Sequence, residues 1–206
     1  SGDLTKAELL CKKLIEANPK VEFLYNLLGL ILAGQGKIQA AIEYYNKAIK
    51  INPNFAMPYN NLGLLYVNHK FDYEKAKKLY KKSIFLDPKI IEAQNNLGSL
   101  YNTLNKFEQA IDCYKKAILI NPKIEYIHHN IANVYLAIGN FAEAKKHFKE
   151  SIKLNPNYSN SHRSLSRLTR YTDNEEHFNV LKKVYKNINI NDEKNKTNIA
   201  FALGKA

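Results

Sequence analysis

An Asn-Pro or Asp-Pro pair recurs five times along the chain, at Asn18-Pro19, Asn52-Pro53, Asp87-Pro88, Asn121-Pro122 and Asn155-Pro156, with the prolines 34, 35, 34 and 34 residues apart. A period of this length marks a supersecondary unit that cannot bury its apolar face alone and must stack on its neighbours. Other columns keep step. A small residue falls at Gly29, Gly63, Gly98, Ala132 and Ser166, and an alanine at Ala7, Ala41, Ala76, Ala110 and Ala144. Four residues after each alanine stand Cys11, Tyr45, Tyr80, Tyr114 and Phe148.

Each period reads as two amphipathic helices. In the first, Tyr25, Leu28, Gly29 and Leu32 recur at i, i+3, i+4 and i+7 and form one apolar stripe. A turn such as Gly34-Gln35-Gly36-Lys37 follows. The second helix buries Ala41, Tyr45 and Ala48, then stops before the Asn-Pro pair, because proline disfavours helix in the residue preceding it. The small columns have a steric reason: paired helices approach closely only where side chains are short.

The period and the pattern Tyr59…Leu62-Gly63…Tyr66…Ala76…Tyr80…Pro88 resemble the tetratricopeptide repeat family, and the resemblance covers residues 1 to about 170. It implies an all-α fold: a right-handed superhelix of about twelve antiparallel helices, with first helices lining a concave groove. Five units are expected at 1–21 (the second helix of a truncated repeat), 22–55, 56–90, 91–124 and 125–158. A degenerate repeat and the start of another occupy 159–206. The departures are one extra residue around His69 to Asp72, and Ala132 and Ser166 in place of glycine. Gly2-Asp3-Leu4-Thr5-Lys6-Ala7 matches the turn before a second helix, so the chain is expected to open halfway through a repeat. Asn198 to Ala206 is expected to begin a first helix with its small column at Leu203-Gly204. Neither end carries the polar cap a solenoid needs, which suggests a segment of a longer protein.

Residues three before, two before, one after and four after the small residue point away from the packing stripe, and the resemblance implies that this face lines the groove. Its polar members are Asn26, Asn60, Asn61, Asn95, Asn96, Asn102, His129, Asn130 and Asn133, expected to bind peptide. Asn61, Asn96 and Asn130 repeat at one face position, and each amide offers both donor and acceptor to an extended backbone. The Tyr-Asn-Asn-Leu-Gly run at 59–63 resembles repeats of the O-GlcNAc transferase type, which implies a ladder holding peptide backbone. Against this stands a general abundance of asparagine, 26 of 206 residues.

The only three arginines, Arg163, Arg167 and Arg170, fall at i, i+4 and i+7 of one helix. Their planar forks suit carboxylate, phosphate or sulfate, and they are expected to form an anion-binding stripe beside His129. The competing expectation is a solvated face that bridges to the following helix, 174–187. Residues 161–206 resemble the junction at which bacterial tetratricopeptide repeats precede a sulfotransferase domain. That implies a second reading, in which the chain is the non-catalytic recognition arm of a larger sulfotransferase-like or glycosyltransferase-like enzyme.

The net charge of +12 comes mostly from lysine, scattered in pairs over solvated helix faces. Such a pattern is a weak nucleic-acid signal, so protein or peptide is the expected partner and nucleic acid is not. The longest apolar stretch, Phe23 to Gly34, is broken by Asn26 and is too short for a bilayer; no membrane association and a cytoplasmic location are expected. Cys11 and Cys113 read as core residues in a reducing compartment. His128 and His162 occupy the packing column of Tyr25 and Tyr59 and read as core histidines. His128 and His129 diverge by about 100° on a helix, so no metal site is expected. No phosphate loop, nucleophile elbow or paired catalytic carboxylates stand out; neither a cofactor nor an enzymatic activity is expected of this segment. Oligomeric state is not legible from the residues.

Overall fold

A computed structural model describes residues 2–169, 176–188 and 192–205. The described residues form twelve α-helices and no strand, as the periodicity requires. The chain divides into two compact units, 1–100 and 101–206. The first contains α1 (Gly2–Ala17), α2 (Glu22–Gly34), α3 (Ile38–Ile51), α4 (Ala56–Leu65), α5 (Tyr73–Leu86) and most of α6 (Ile91–Thr103). The second contains α7 (Phe107–Ile120), α8 (Glu125–Ala137), α9 (Phe141–Leu154), α10 (Ser159–Leu168), α11 (Glu176–Asn187) and α12 (Glu193–Lys205).

The repeated Asn-Pro column is explained by hydrogen bonds. The side-chain oxygen of Asn52 accepts from the Asn54 N–H, Asp87 from Lys89, Asn121 from Lys123 and Asn155 from Asn157, at 2.9–3.0 Å. Each is a side-chain mimic of a backbone turn, which short amides and carboxylates make readily. The Asn52 amide also donates to Glu22, and the Asn155 amide to Glu125, which ties the turn to the start of the preceding first helix. The aromatic head of the first helix seals the same turn: Tyr25 Oη donates to the Pro19 carbonyl and Tyr59 Oη to that of Pro53, both at 3.0 Å. Where His128 and His162 replace tyrosine, Nε2 makes the equivalent bonds to Pro122 and Pro156. Both rings are buried, in line with a core role.

The glycine and aromatic columns are a matched pair. A Cβ added at Gly29 would lie 2.5 Å from Tyr45 Cε1, and one at Gly63 would lie 2.7 Å from Tyr80 Cε1. Tyr45 and Tyr80 are fully buried and cannot withdraw. In the first unit the core gathers Cys11, Leu28, Leu32, Ala41, Tyr45, Leu62 and Leu65, so the buried thiol does stand in for the aromatic.

The extra residue near 69–72 becomes a π-helical turn, Tyr66–Lys70, at the end of α4. It feeds into Phe71, whose φ of 52° is left-handed. This is a shared turn position: Gly36, Phe71, Asn105 and Gly139 all have positive φ. Glycine accepts that conformation at no steric cost, whereas a bulky residue is strained.

The last described helix buries one face. Asn198, Ile199 and Ala202 are the buried residues of α12, while a Cβ at Gly204 would meet nothing within 4 Å. Among the described residues nothing packs on Gly204. The expected 174–187 helix is described from Glu176 onward.

Candidate functional site

The face expected to be free is narrower than the helical wheel suggests. Residues three before the small position sit only about 60° from it, over the seam with the next repeat. Asn26 is 1% exposed and Asn60 7% exposed, so these two are seam residues rather than groove residues. Asn61, Asn95 and Asn96 are half-buried, and Leu30, Leu64 and Ser99, one after the small residue, are exposed.

In the first unit the asparagines join in a directed chain. Asn95 Nδ2 donates to Asn96 Oδ1 at 3.4 Å, Asn96 to Asn60 at 3.0 Å, Asn60 to Asn61 at 3.4 Å, and Asn61 to Asn26 at 3.0 Å. The two shorter bonds cross between helices, α6 to α4 and α4 to α2. Asparagine carries two N–H groups and two acceptor lone pairs. After these bonds Asn61 and Asn96 each keep capacity for one donation and one acceptance, with the amide plane already fixed by its neighbours. Asn102, on α6, is half-buried.

In the second unit Asn130 and Asn133 are half-buried on α8. His129, beside the arginine-bearing helix, is held by neighbours of its own. Its Nδ1 lies 2.9 Å from Ser161 Oγ, whose own proton goes to Ser151 Oγ, so Nδ1 carries the hydrogen and donates. Its ring lies against Phe148 and Tyr158. Burial pushes its pKa down to about 4, so the imidazole is neutral near neutral pH and adds nothing to an anion-attracting field.

The arginines divide. Arg167 is exposed, and among the described residues no carboxylate pairs with it or with Arg163. Arg163 is exposed too, but Nη1 donates to Asn198 Oδ1 at 3.0 Å and the guanidinium lies 5.0 Å from the Phe201 ring centroid. It thus leans on α12, not on the helix at 176–187. Arg170 lies outside the described residues.

Arg163 and Asn198 stand 35 residues apart, the separation of Asn26 and Asn61. The same seam link is made with a different donor. Asn198 also donates to Ser159 Oγ and Asn160 Oδ1. Sequence reasoning missed Asn198 because it took its register from Leu203-Gly204; the 35-residue spacing was the available signal. No group of three or more metal-ligating side chains exists among the described residues, and no helix described is long and apolar enough to cross a membrane.

Models of the tetratricopeptide repeat match residues 29–70, 58–90, 91–124 and 126–158. The uncharacterized protein ycf37 of Pyropia yezoensis is 36% identical over 66 residues, 32% of this chain and 36% of that protein. The photosystem I assembly protein Ycf3 of Rippkaea orientalis is 33% identical over 63 residues, 31% of this chain and 34% of that protein. The matched segment thus spans about a third of the length of either relative. Among solved structures, MamA superposes with a TM-score of 0.64 at 26% identity, covering 75% of this chain and 90% of that one. YrrB, a TPR protein with an unusual peptide-binding site, does so with a TM-score of 0.65 at 19% identity, covering 94% and 96%.

Proposed function

Given that the chain belongs to the tetratricopeptide repeat family, whose members mediate protein–protein interaction, we propose that it is a non-enzymatic interaction module that holds an extended peptide by its backbone. The observation that carries this reading is the amide chain of the first unit. It presents Asn61 and Asn96 in fixed orientation, each with one donor and one acceptor to offer. A backbone amide in an extended peptide needs that complement, and holding it requires no reading of side chains. Exposed Leu30 and Leu64 beside the asparagines add apolar contact area. In the second unit Asn130 and Asn133 carry the same type of side chain, half-buried on α8. Exposed Arg167, with Arg163, favours a peptide carrying carboxylates. YrrB and Ycf3, a peptide-binding protein and an assembly protein by name, are consistent with this class of role.

The test is fluorescence anisotropy with a panel of labelled, unstructured fifteen-residue peptides of graded charge. Wild-type chain should bind the acidic, apolar-containing members best. Asn61→Ala, Asn96→Ala and Asn130→Ala combined should weaken every binder, and Arg163→Ala with Arg167→Ala should weaken acidic peptides selectively, by about 1.5–3 kcal/mol per charged bond lost. Unchanged affinities in the asparagine variant, with helicity retained, would remove the ladder from the account. The recognition-arm reading rests on the sequence resemblance at 161–206; it too requires the 206-residue chain to lack sulfuryl- or glycosyl-transfer activity.

A further inference from the structure

Two repeats fasten their turns with a titratable ring where the first repeats use tyrosine. In the first unit Tyr25 bonds the Pro19 carbonyl and packs its ring 6.3 Å from that of Tyr44 on α3. The corresponding pair in the second unit is His128 on α8 and His147 on α9. Their rings stack at 5.4 Å, and their Nδ1 atoms are 3.1 Å apart. The tautomers follow from the partners. A carbonyl can only accept, so His128 Nε2 carries the hydrogen it gives to Pro122 O. A neutral His128 then has a bare Nδ1, and the hydrogen between the rings belongs to His147 Nδ1.

The remaining nitrogen, His147 Nε2, faces Glu143 Oε2 at 3.9 Å. A first added proton goes there. It leaves every bond in place but creates a cation whose ring is stacked on Tyr135 and only 16% exposed at the side chain. Burial opposes that charge most, then His128 from α8. Lys146 from the same helix and Lys115 from α7 also oppose it, and Glu143 alone favours it. A second proton has to sit on His128 Nδ1, pointing at the His147 Nδ1–H across 3.1 Å. Two adjacent imidazoliums with opposed N–H groups cannot keep this geometry.

We propose that the His128–His147 pair is a proton-operated latch. With both rings neutral it fastens α9 to α8 and, through Pro122, the preceding turn; acidification releases the α8–α9 helix pair that carries His129, Asn130 and Asn133. The first repeat, with its Tyr25–Tyr44 pair, has no such response. The arrangement recurs once more, with His162 Nδ1 2.9 Å from His177 Nε2 and the rings stacked at 5.1 Å.

The size of the response follows from linkage. Burial holds the His147 pKa at about 4 against 6.5 for an open imidazole. Between pH 7.5 and pH 5 the open form of α8–α9 therefore gains about thirtyfold from this residue. Native-state hydrogen exchange on the full 206-residue chain, corrected for intrinsic rates, reads it at amides such as Val134, Tyr135, Phe148 and Ile152, with α2–α3 as internal reference. Wild type should lose at least thirtyfold protection in α8–α9. His147→Gln, which keeps an N–H for His128 Nδ1 but does not titrate, should lose about thirtyfold less. The double variant His128→Tyr with His147→Tyr, transplanting the Tyr25–Tyr44 pair, should do the same. His129 keeps its own proton demand in every variant, so the differences isolate the pair. A wild type without the acid response, or variants that share it in full, would overturn the proposal. Should both variants fail to fold, NMR titration of the wild-type His147 ring decides: an Nδ1–H tautomer titrating well below 6.5 supports the latch, and ordinary titration near 6.5 refutes it.

Discussion

Replacing Asn60 by alanine probes the amide chain where both of its directions meet. Asn60 accepts from Asn96 at 3.0 Å and donates to Asn61 at 3.4 Å, and its side chain is buried in the seam of α2, α4 and α6. Alanine removes both bonds. The longer one is weak, so the main loss is the Asn96 bond, about 1 kcal/mol net, plus about 1 kcal/mol for a half-buried Asn96 N–H left without its acceptor. Alanine returns about 0.5 kcal/mol of helix propensity, so the expected destabilisation is about 1–2 kcal/mol. Asn46→Ala supplies the control: Asn46 is exposed on α3, and there alanine should stabilise by about 0.5 kcal/mol. Urea unfolding followed by far-ultraviolet circular dichroism reads both, with the slope checked for constancy. Equal midpoints for the two variants would refute the inference that asparagines bind repeat to repeat.

The close approach at Gly63 predicts that Gly63→Ala destabilises by about 1–2 kcal/mol, overpacking against Tyr80 outweighing the gain in helix propensity. Gly204→Ala, with open space around its Cβ, should instead stabilise α12 by up to about 1 kcal/mol; thermal melts of the two distinguish the cases. Phe71 is 70% exposed with φ of 52°, so Phe71→Gly should raise stability by about 1 kcal/mol through relief of left-handed strain, and a lowered melting temperature would contradict this. Burial holds His129, His147 and His177 at about 4 in the folded chain, below 6.5 when unfolded. The unfolded chain takes up protons first, so their contribution is whole above about pH 7 and is lost as pH falls from 6.5 to 4. Each contributes up to about 3 kcal/mol, and urea midpoints that do not fall between pH 7 and pH 4.5 would contradict the burial of these rings.

The fold was legible because its signals are local and repeated: proline ends each second helix, and small residues mark where paired helices touch. The end of α12 shows the limit. Leu203-Gly204 matched the column by residue type, yet Asn198 and Ala202 make the contacts, since register depends on packing and not on composition. Asn26 and Asn60 looked like groove residues on an ideal wheel. A position about 60° from the packing line faces solvent in a lone helix, but the neighbouring repeat covers it in a stack. The column of Asn61, Asn96 and Asn130 was visible, whereas the bonds joining Asn95, Asn96, Asn60, Asn61 and Asn26 were not, because they depend on the offset between successive repeats. The burial of His129 was not legible either, because its contacts with Ser161, Phe148 and Tyr158 come from outside its own helix.

The most direct test of peptide holding by the amide chain is the side-chain amide spectrum of the asparagines during titration with the tightest-binding labelled peptide of the charge-graded panel. The account predicts that the Asn61 and Asn96 side-chain N–H resonances shift with the binding isotherm, because those groups take up the peptide backbone. The Asn26 and Asn60 resonances should move far less, since their amides stay engaged in the seam. Saturation of the chain with peptide while Asn61 and Asn96 remain unperturbed would contradict it.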